Sequence, residues 1–263
     1  MRSLKIAITI GCIAVVIALT TAFANIKKVQ LNNTAPDKGF AVVELFTSEG
    51  CSSCPPADVL IAKVLKENSD KPIYILAYHV DYWNRMGWKD AFSDAAYSDR
   101  QKQYARWLKS AEIYTPQAIV NGIKEFVGSE ESTLRNTIKA DLAQPAKTDL
   151  TLTGLKAVKN KITVKYKAEG ITANSSLVLA LLERNATTKV LKGENACRTL
   201  SHVQIVRKLQ TISLNNNASG SVDLSVPTSF TPEGFEMIAF VQNMATGAIT
   251  GAARAEFSTT LSK

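Results

Sequence analysis

An apolar segment that runs directly into a Cys-x-x-Cys pair constrains this 263-residue chain more than any other feature. Residues 40–46 are typical of a buried strand, and Cys51 and Cys54 follow, with Pro55 and Pro56 directly behind them. Since proline suits the first turn of a helix, the pattern predicts a strand, a short loop and a helix that begins beside both sulfurs. Two cysteines so placed can cycle between dithiol and disulfide, which indicates thiol–disulfide chemistry.

A secretory signal peptide is predicted over residues 1–24. Arg2 and Lys5 give a basic start, residues 6–21 form an apolar run, and Ala22-Phe23-Ala24 is a small-x-small exit. An uncleaved anchor is the alternative, because the apolar run is long for a signal core. Cleavage would leave an exported chain without membrane attachment, in a compartment where disulfides persist.

The chain has a formal net charge of +8, but its lysines are spread along the sequence with no aromatic-rich basic motif beside them. This distribution favours a solvated basic surface over a nucleic-acid site. No nucleotide, flavin or haem motif is visible, so no tightly bound cofactor is predicted. The partners expected are protein or small-molecule thiols and disulfides, and the oligomeric state is left open.

The sequence after the predicted signal peptide divides into three parts. Residues 25–38 are polar and resemble a linker. Residues 39–146 predict the order strand, helix, strand, helix, strand, strand, helix. Residues 147–263 contain short β-branched segments separated by turns, which is typical of an all-β, sandwich-like domain.

The residues around the Cys-x-x-Cys pair are assigned catalytic roles. Cys51 is predicted to be the more exposed thiol and the nucleophile, with Cys54 resolving the mixed disulfide. Glu44 interrupts the apolar strand and could relay protons to Cys54, although a hydrogen-bonded strand carboxylate is the alternative. Thr115-Pro116 is a candidate cis peptide, and such a bend would expose the Thr115 main chain to an extended substrate.

Segments 79–83 and 194–207 supply candidates for binding a substrate or partner. Because the carboxyl ends of neighbouring parallel strands open on one edge of a sheet, residues 79–83 are expected beside the cysteines. Packing is the alternative role for the aromatic side chains, and a contact between domains is the alternative for residues 194–207. The candidates are His79, Asp81, Tyr82, Trp83, Arg198 and His202.

Four runs, residues 43–58, 79–83 with 87–90, 114–117 and 193–202, resemble the uncharacterised secreted thioredoxin-like family called domain of unknown function 1223. The resemblance implies an α/β thioredoxin-like domain, here followed by the all-β domain, and a periplasmic or secreted setting in bacteria. It implies no substrate. The chain departs from the family pattern at Glu49 (usually glutamine), at Asn84 (usually acidic) and at Cys197 (usually small, most often glycine).

These observations favour an exported thiol–disulfide oxidoreductase. One alternative is a Cu(I)-handling assembly factor, in which two thiolates and His79 would bind the soft metal ion. Another is a non-catalytic binding module whose disulfide stays closed. A structural zinc site is disfavoured because no second cysteine pair exists, and no metal site is predicted.

Overall fold

The computed structural model of this protein describes residues 39–110, 112–214 and 217–257, so the predicted signal peptide and linker lie outside the described residues. Within them, no helix combines the length and apolar character needed to span a bilayer. The helices and strands of the described chain are β1 (Ala41–Thr47), α1 (Pro55–Glu67), β2 (Ile73–His79), a 3-10 helix (Asn84–Met86), α2 (Ala95–Leu108), β3 (Gln117–Val120), β4 (Lys124–Val127), α3 (Glu131–Leu142), β5 (Asp149–Val158), β6 (Lys161–Glu169), β7 (Ser175–Lys189), β8 (Thr199–Ser213), β9 (Ser219–Ser225), β10 (Phe235–Asn243) and β11 (Ile249–Glu256).

The strands of the described chain form two sheets. Eight strands pair in the order β11-β10-β7-β8-β2-β1-β3-β4, and three pair as β5-β6-β9. Strand β1 is parallel to β2 and antiparallel to β3. The two halves of the large sheet are joined where β2 pairs in parallel with β8, with Ala77 opposite Ile205. Strands from before and after residue 147 therefore share one sheet.

The predicted fold class, an α/β thioredoxin-like domain followed by a separate all-β domain, is wrong. The element order predicted for residues 39–146 is confirmed, but β7, β8, β10 and β11 extend the sheet of β1–β4 instead of building a sandwich of their own. Hydrophobic periodicity reports which face of a strand is buried. It does not report which strand edges pair, so the continuous sheet was not visible in the sequence.

The two faces of the large sheet are covered differently. Helix α2 packs on one face, where Tyr97 and Tyr104 contact a core that extends from β1 to β11. On the other face, α1 and α3 cover β1–β3 through side chains such as Ile61 and Leu134. The sheet β5-β6-β9 covers the remaining strands of that face. The core facing α2 includes residues from both halves of the chain, so the halves are packed together as well as hydrogen-bonded.

Side-chain alternation along β1 places Glu44 on the α2 face of the sheet, opposite the face covered by α1. Its carboxylate is fully buried and accepts hydrogen bonds from Arg100 Nε at 2.6 Å and from the Tyr104 hydroxyl. Arg100 also donates to Gln242 Oε1 at 3.2 Å. The arrangement is a buried ion pair between β1 and α2. It does not support the proton-relay role suggested for Glu44, because α1 and Cys54 lie beyond the sheet.

Arg100→Met should lower the free energy of unfolding by about 3–5 kcal/mol, since it leaves the buried Glu44 carboxylate without its cation. Urea denaturation followed by tryptophan fluorescence measures this loss. Arg135→Met is the matched control, because Arg135 pairs with Glu67 and Glu131 at the surface, where ion pairs contribute little. Equal losses in the two variants would contradict the role assigned to Arg100.

Candidate functional site

The cysteine loop (residues 48–54) connects β1 to α1 and contains a disulfide between Cys51 and Cys54, whose Cα atoms are 5.5 Å apart. The Cys54 N–H donates to Cys51 O at 3.2 Å, so the loop makes a tight turn between the two cysteines. Pro55 and Pro56 occupy the first positions of α1, where the missing proline N–H leaves no helical hydrogen bond unmade. The predicted strand, loop and helix are therefore confirmed.

Both sulfur-bearing residues are buried. Cys51 is 1% exposed and Cys54 is 0% exposed, although Ser52 and Ser53 between them are exposed. The sequence predicts Cys51 to be the more exposed thiol, but the structure buries both cysteines almost completely. The connection between β7 and β8, from the second half of the chain, packs against the cysteine loop.

The β7–β8 connection, residues 190–198, is called the strap below. Asn195 is fully buried and its Nδ2 donates to Glu49 O and to Cys51 O, each at 2.9 Å. The Glu194 carboxylate accepts from the Ser52 N–H at 3.0 Å, and hydrogen bonds from Ser52 hold the pKa of Glu194 below its usual value. Three hydrogen bonds thus join the described residues of the strap to the loop that contains the disulfide.

The other side of the disulfide lies against the turn at Thr115 and Pro116. The peptide bond between these two residues is cis, which confirms the candidate identified in the sequence. Cys51 Sγ lies 3.8 Å from Thr115 O, and the Thr115 hydroxyl accepts a hydrogen bond from Trp83 Nε1 at 2.7 Å. The structure brings Cys51, Trp83 and Thr115 together, while the binding and catalytic roles assigned to them stay predictions.

A buried histidine–carboxylate cluster, formed by Glu49, Asp58, His79, Asp90 and His202, adjoins the cysteine loop. Every member is at most 5% exposed. His202 lies 3.5 Å from both Glu49 Oε1 and Asp58 Oδ2, and His79 Nδ1 lies 2.7 Å from Asp90 Oδ2. The two imidazole rings stack edge to face at 4.8 Å. The cluster contains both histidines of the chain and connects β8 to α1 and the cysteine loop.

The electrostatics of the cluster favour a positive charge on His202. Burial lowers the pKa of His202, but the neighbouring Asp58 and Glu49 outweigh burial and raise it to about 9. For Asp90, burial acts to raise the pKa of the carboxyl group. The contact with His79 and the backbone hydrogen bonds outweigh burial, so the pKa of Asp90 lies below its usual value. At neutral pH, His202 is therefore an imidazolium that bridges the carboxylates of the cysteine loop and of α1.

One family model matches residues 42–242 of the chain. Its description is "Protein of unknown function (DUF1223)". The chain belongs to the DUF1223 family. A search of curated proteins finds no match.

Two solved structures resemble this DUF1223 protein over most of its length. Protein AGR_C_4864 from Agrobacterium tumefaciens is 27% identical with a TM-score of 0.65, and the match covers 85% of this chain and 96% of that one. HBP35 of Porphyromonas gingivalis is 15% identical with a TM-score of 0.59, covering 86% of this chain and 78% of that one. The second likeness concerns the fold alone.

Other residues of the DUF1223 protein that the sequence singled out have structural partners. Asp81 accepts a hydrogen bond from the Ser98 hydroxyl at 2.5 Å, and the Tyr82 hydroxyl donates to Gln101 Oε1 at 3.2 Å, so both side chains bind α2. Arg198 donates to Asn195 Oδ1 at 2.7 Å and thereby orients the buried amide. Cys197 is exposed and has a free thiol.

The sequence assigns no site role to Asn195, Glu49, Asp58 or Asp90. Asn195 lies within a segment that supplies other candidates, and Glu49 stands out only as a departure from the family pattern. Within the described ranges, no group of three or more His, Cys, Asp and Glu side chains is placed to hold a metal ion. His79, the third ligand in the copper alternative, contacts Asp90 instead.

His202→Asn should make the stability of the DUF1223 protein nearly independent of pH between 6.5 and 9. A pKa raised from 6.5 to about 9 on folding stabilises the protein fully below pH 6.5, and this contribution is lost as the pH rises through 9. The loss in the unmodified chain is on the order of 3 kcal/mol. Urea denaturation at a series of pH values measures it, and a variant that keeps the unmodified slope would refute the bridging role.

Proposed function

We propose that this DUF1223 protein is an exported thiol–disulfide oxidoreductase whose working couple is Cys51 and Cys54. The observation that carries the proposal is the disulfide between these two residues at the N-terminus of α1. A helix N-terminus favours the thiolate through its dipole, so the reduced couple has the environment of a reactive thiol. The signal-peptide pattern of residues 1–24 supports a periplasmic or secreted setting.

The proposed reaction exchanges the disulfide with a dithiol partner. A partner thiolate attacks Cys51 Sγ, the bond between the cysteines breaks, and Cys54 leaves as a thiolate that takes up a proton. The second partner thiolate then attacks the partner sulfur of the mixed disulfide and releases Cys51. The partner loses two electrons and two protons, and the couple gains them. The reverse sequence reduces a partner disulfide, and the relative reduction potentials decide the direction.

Exposed apolar side chains near the couple favour a polypeptide partner. Val59 on α1 is 67% exposed, Met86 in the 3-10 helix is 48% exposed and Leu191 on the strap is 62% exposed. The strap and the 3-10 helix are adjacent, since a Cβ added at Gly193 would lie 3.6 Å from Met86 O. Apolar groups that form a contiguous exposed patch mark surfaces that bind other proteins, and we propose such a patch between the strap and the 3-10 helix.

A non-catalytic binding module with a permanently closed disulfide is the second candidate. It is favoured by the burial of both cysteines, at 1% and 0% exposure, because structural disulfides are normally shielded from exchange. The two candidates differ in the reduction potential that they require. A working couple exchanges with the cellular thiol pool, whereas a structural disulfide resists reduction.

Equilibration with glutathione redox buffers should give a potential between about −120 and −270 mV, the range of known thiol–disulfide oxidoreductases. The reason is that α1 stabilises the thiolate and hence the reduced form. The fraction of reduced protein is measured by alkylation and intact mass. Cys197→Ser is the matched control and should leave the potential unchanged. A couple that stays oxidised below about −300 mV would favour the binding module instead.

A further inference from the structure

We infer that the strap, residues 190–198, is an autoinhibitory lid on the Cys51–Cys54 disulfide, which must leave the cysteine loop before a partner sulfur can reach Cys51. The inference rests on the proposed function and adds a regulatory element to it. Four observations support it: the burial of Asn195, the position of Glu194, the internal bonding of the strap and the burial of Cys51.

Asn195 is the fixed point of the closed strap. The described residues on either side of it, 191–194 and 196–198, are exposed, whereas Asn195 is fully buried. Its Nδ2 group donates two hydrogen bonds to main-chain oxygens of the cysteine loop, Glu49 O and Cys51 O. A single amide therefore holds an otherwise solvated segment against the residue that would be attacked.

Glu194 holds a main-chain donor of the cysteine loop. Its carboxylate accepts from the Ser52 N–H, which is a main-chain group between the two cysteines. A negative charge at this position opposes a second negative charge on Cys51, because like charges disfavour ionisation. The closed strap therefore both covers Cys51 and makes its thiolate less favourable.

The strap is bonded within itself, so it can move without unfolding. The Val190 N–H donates to Arg198 O and the Cys197 N–H donates to Val190 O, each at 2.9 Å. The Ala196 N–H donates to Gly193 O at 3.1 Å. None of these bonds involves the cysteine loop. Val190, at the base of the strap, is fully buried. Breaking the three hydrogen bonds of Asn195 and Glu194 with the cysteine loop would thus free residues 191–198 as an intact tip that moves about Val190.

Opening of the lid determines how fast the disulfide is reduced. Because Cys51 is 1% exposed, a reductant reacts only with the open form, and the observed rate is proportional to the open population. Removing a strap contact raises that population. Because Asn195 is uncharged, its removal does not change the charge that an attacking thiolate meets at the disulfide.

The test is the rate at which dithiothreitol reduces the folded full-length chain, followed by alkylation and intact mass, where reduction adds two alkyl groups. Asn195→Ala should be reduced about tenfold faster than the unmodified protein, since two buried hydrogen bonds are lost. Asn243→Ala is the matched control, because Asn243 bonds Ala173 O and Ala245 N in a turn distant in sequence from the strap and the cysteine loop. Equal rates in Asn195→Ala and the unmodified chain would overturn the lid.

Glu194→Gln is the second variant. Because Glu194 is exposed, this variant should fold like the unmodified protein. It should also be reduced faster. In the reduced protein, it should move the pH midpoint of Cys51 alkylation downwards, because the opposing charge is gone. Glu256→Gln, which changes an exposed carboxylate paired with Arg184, should change neither quantity. An unchanged midpoint together with an unchanged reduction rate would overturn the assigned role of Glu194.

The lid and the proposed function fail in different ways. The redox function is wrong if glutathione cannot reduce the couple at equilibrium in either the unmodified protein or Asn195→Ala. In that case, faster reduction of Asn195→Ala by dithiothreitol still supports the lid. If glutathione reduces both forms at the same rate and to the same extent, the redox function stands and the lid is wrong.

Discussion

The parallel pairing of β2 with β8 is the contact on which the rest of the structure depends. It joins strands from the two halves of the chain into one sheet and brings the β7–β8 hairpin to the cysteine loop. Gln204, next to the paired residue, has a φ of 56° and interrupts the regular geometry of β8 two residues after His202. On the N-terminal side of Gln204, β8 and the strap contact α1 and the cysteine loop. Both cysteines of that loop are buried.

Two buried ion pairs hold this arrangement, one on each face of β1. Glu44 pairs with Arg100 on the α2 face, and Glu49 with Asp58 pairs with His202 near α1. Burying a carboxylate is unfavourable unless a cation and hydrogen bonds compensate, so each pair makes its elements dependent on one another. His202 belongs to the second half of the chain. The charge balance of the cysteine loop therefore requires that half to be docked.

The strap reconciles two properties of the disulfide that otherwise conflict. A Cys-x-x-Cys pair at a helix N-terminus has the environment of a reactive couple, whereas 1% exposure of Cys51 protects it from exchange. A covering segment that is attached through Asn195 and Glu194 allows both. Protection then comes from the three hydrogen bonds of the strap and not from the global stability of the fold, so the accessibility of Cys51 can change while the sheet stays intact.

Residue patterns alone predicted the strand, cysteine loop and helix around Cys51, the candidate cis peptide at Pro116, and the element order up to residue 146. These features depend on local periodicity and on the chemistry of proline and cysteine. The three-dimensional packing was needed to show that one sheet unites both halves, that Cys51 is buried and that Asn195 bonds the Cys51 main-chain oxygen. Asn195 and Cys51 are 144 residues apart, and contacts at such separations depend on which strand edges pair, which residue patterns do not encode.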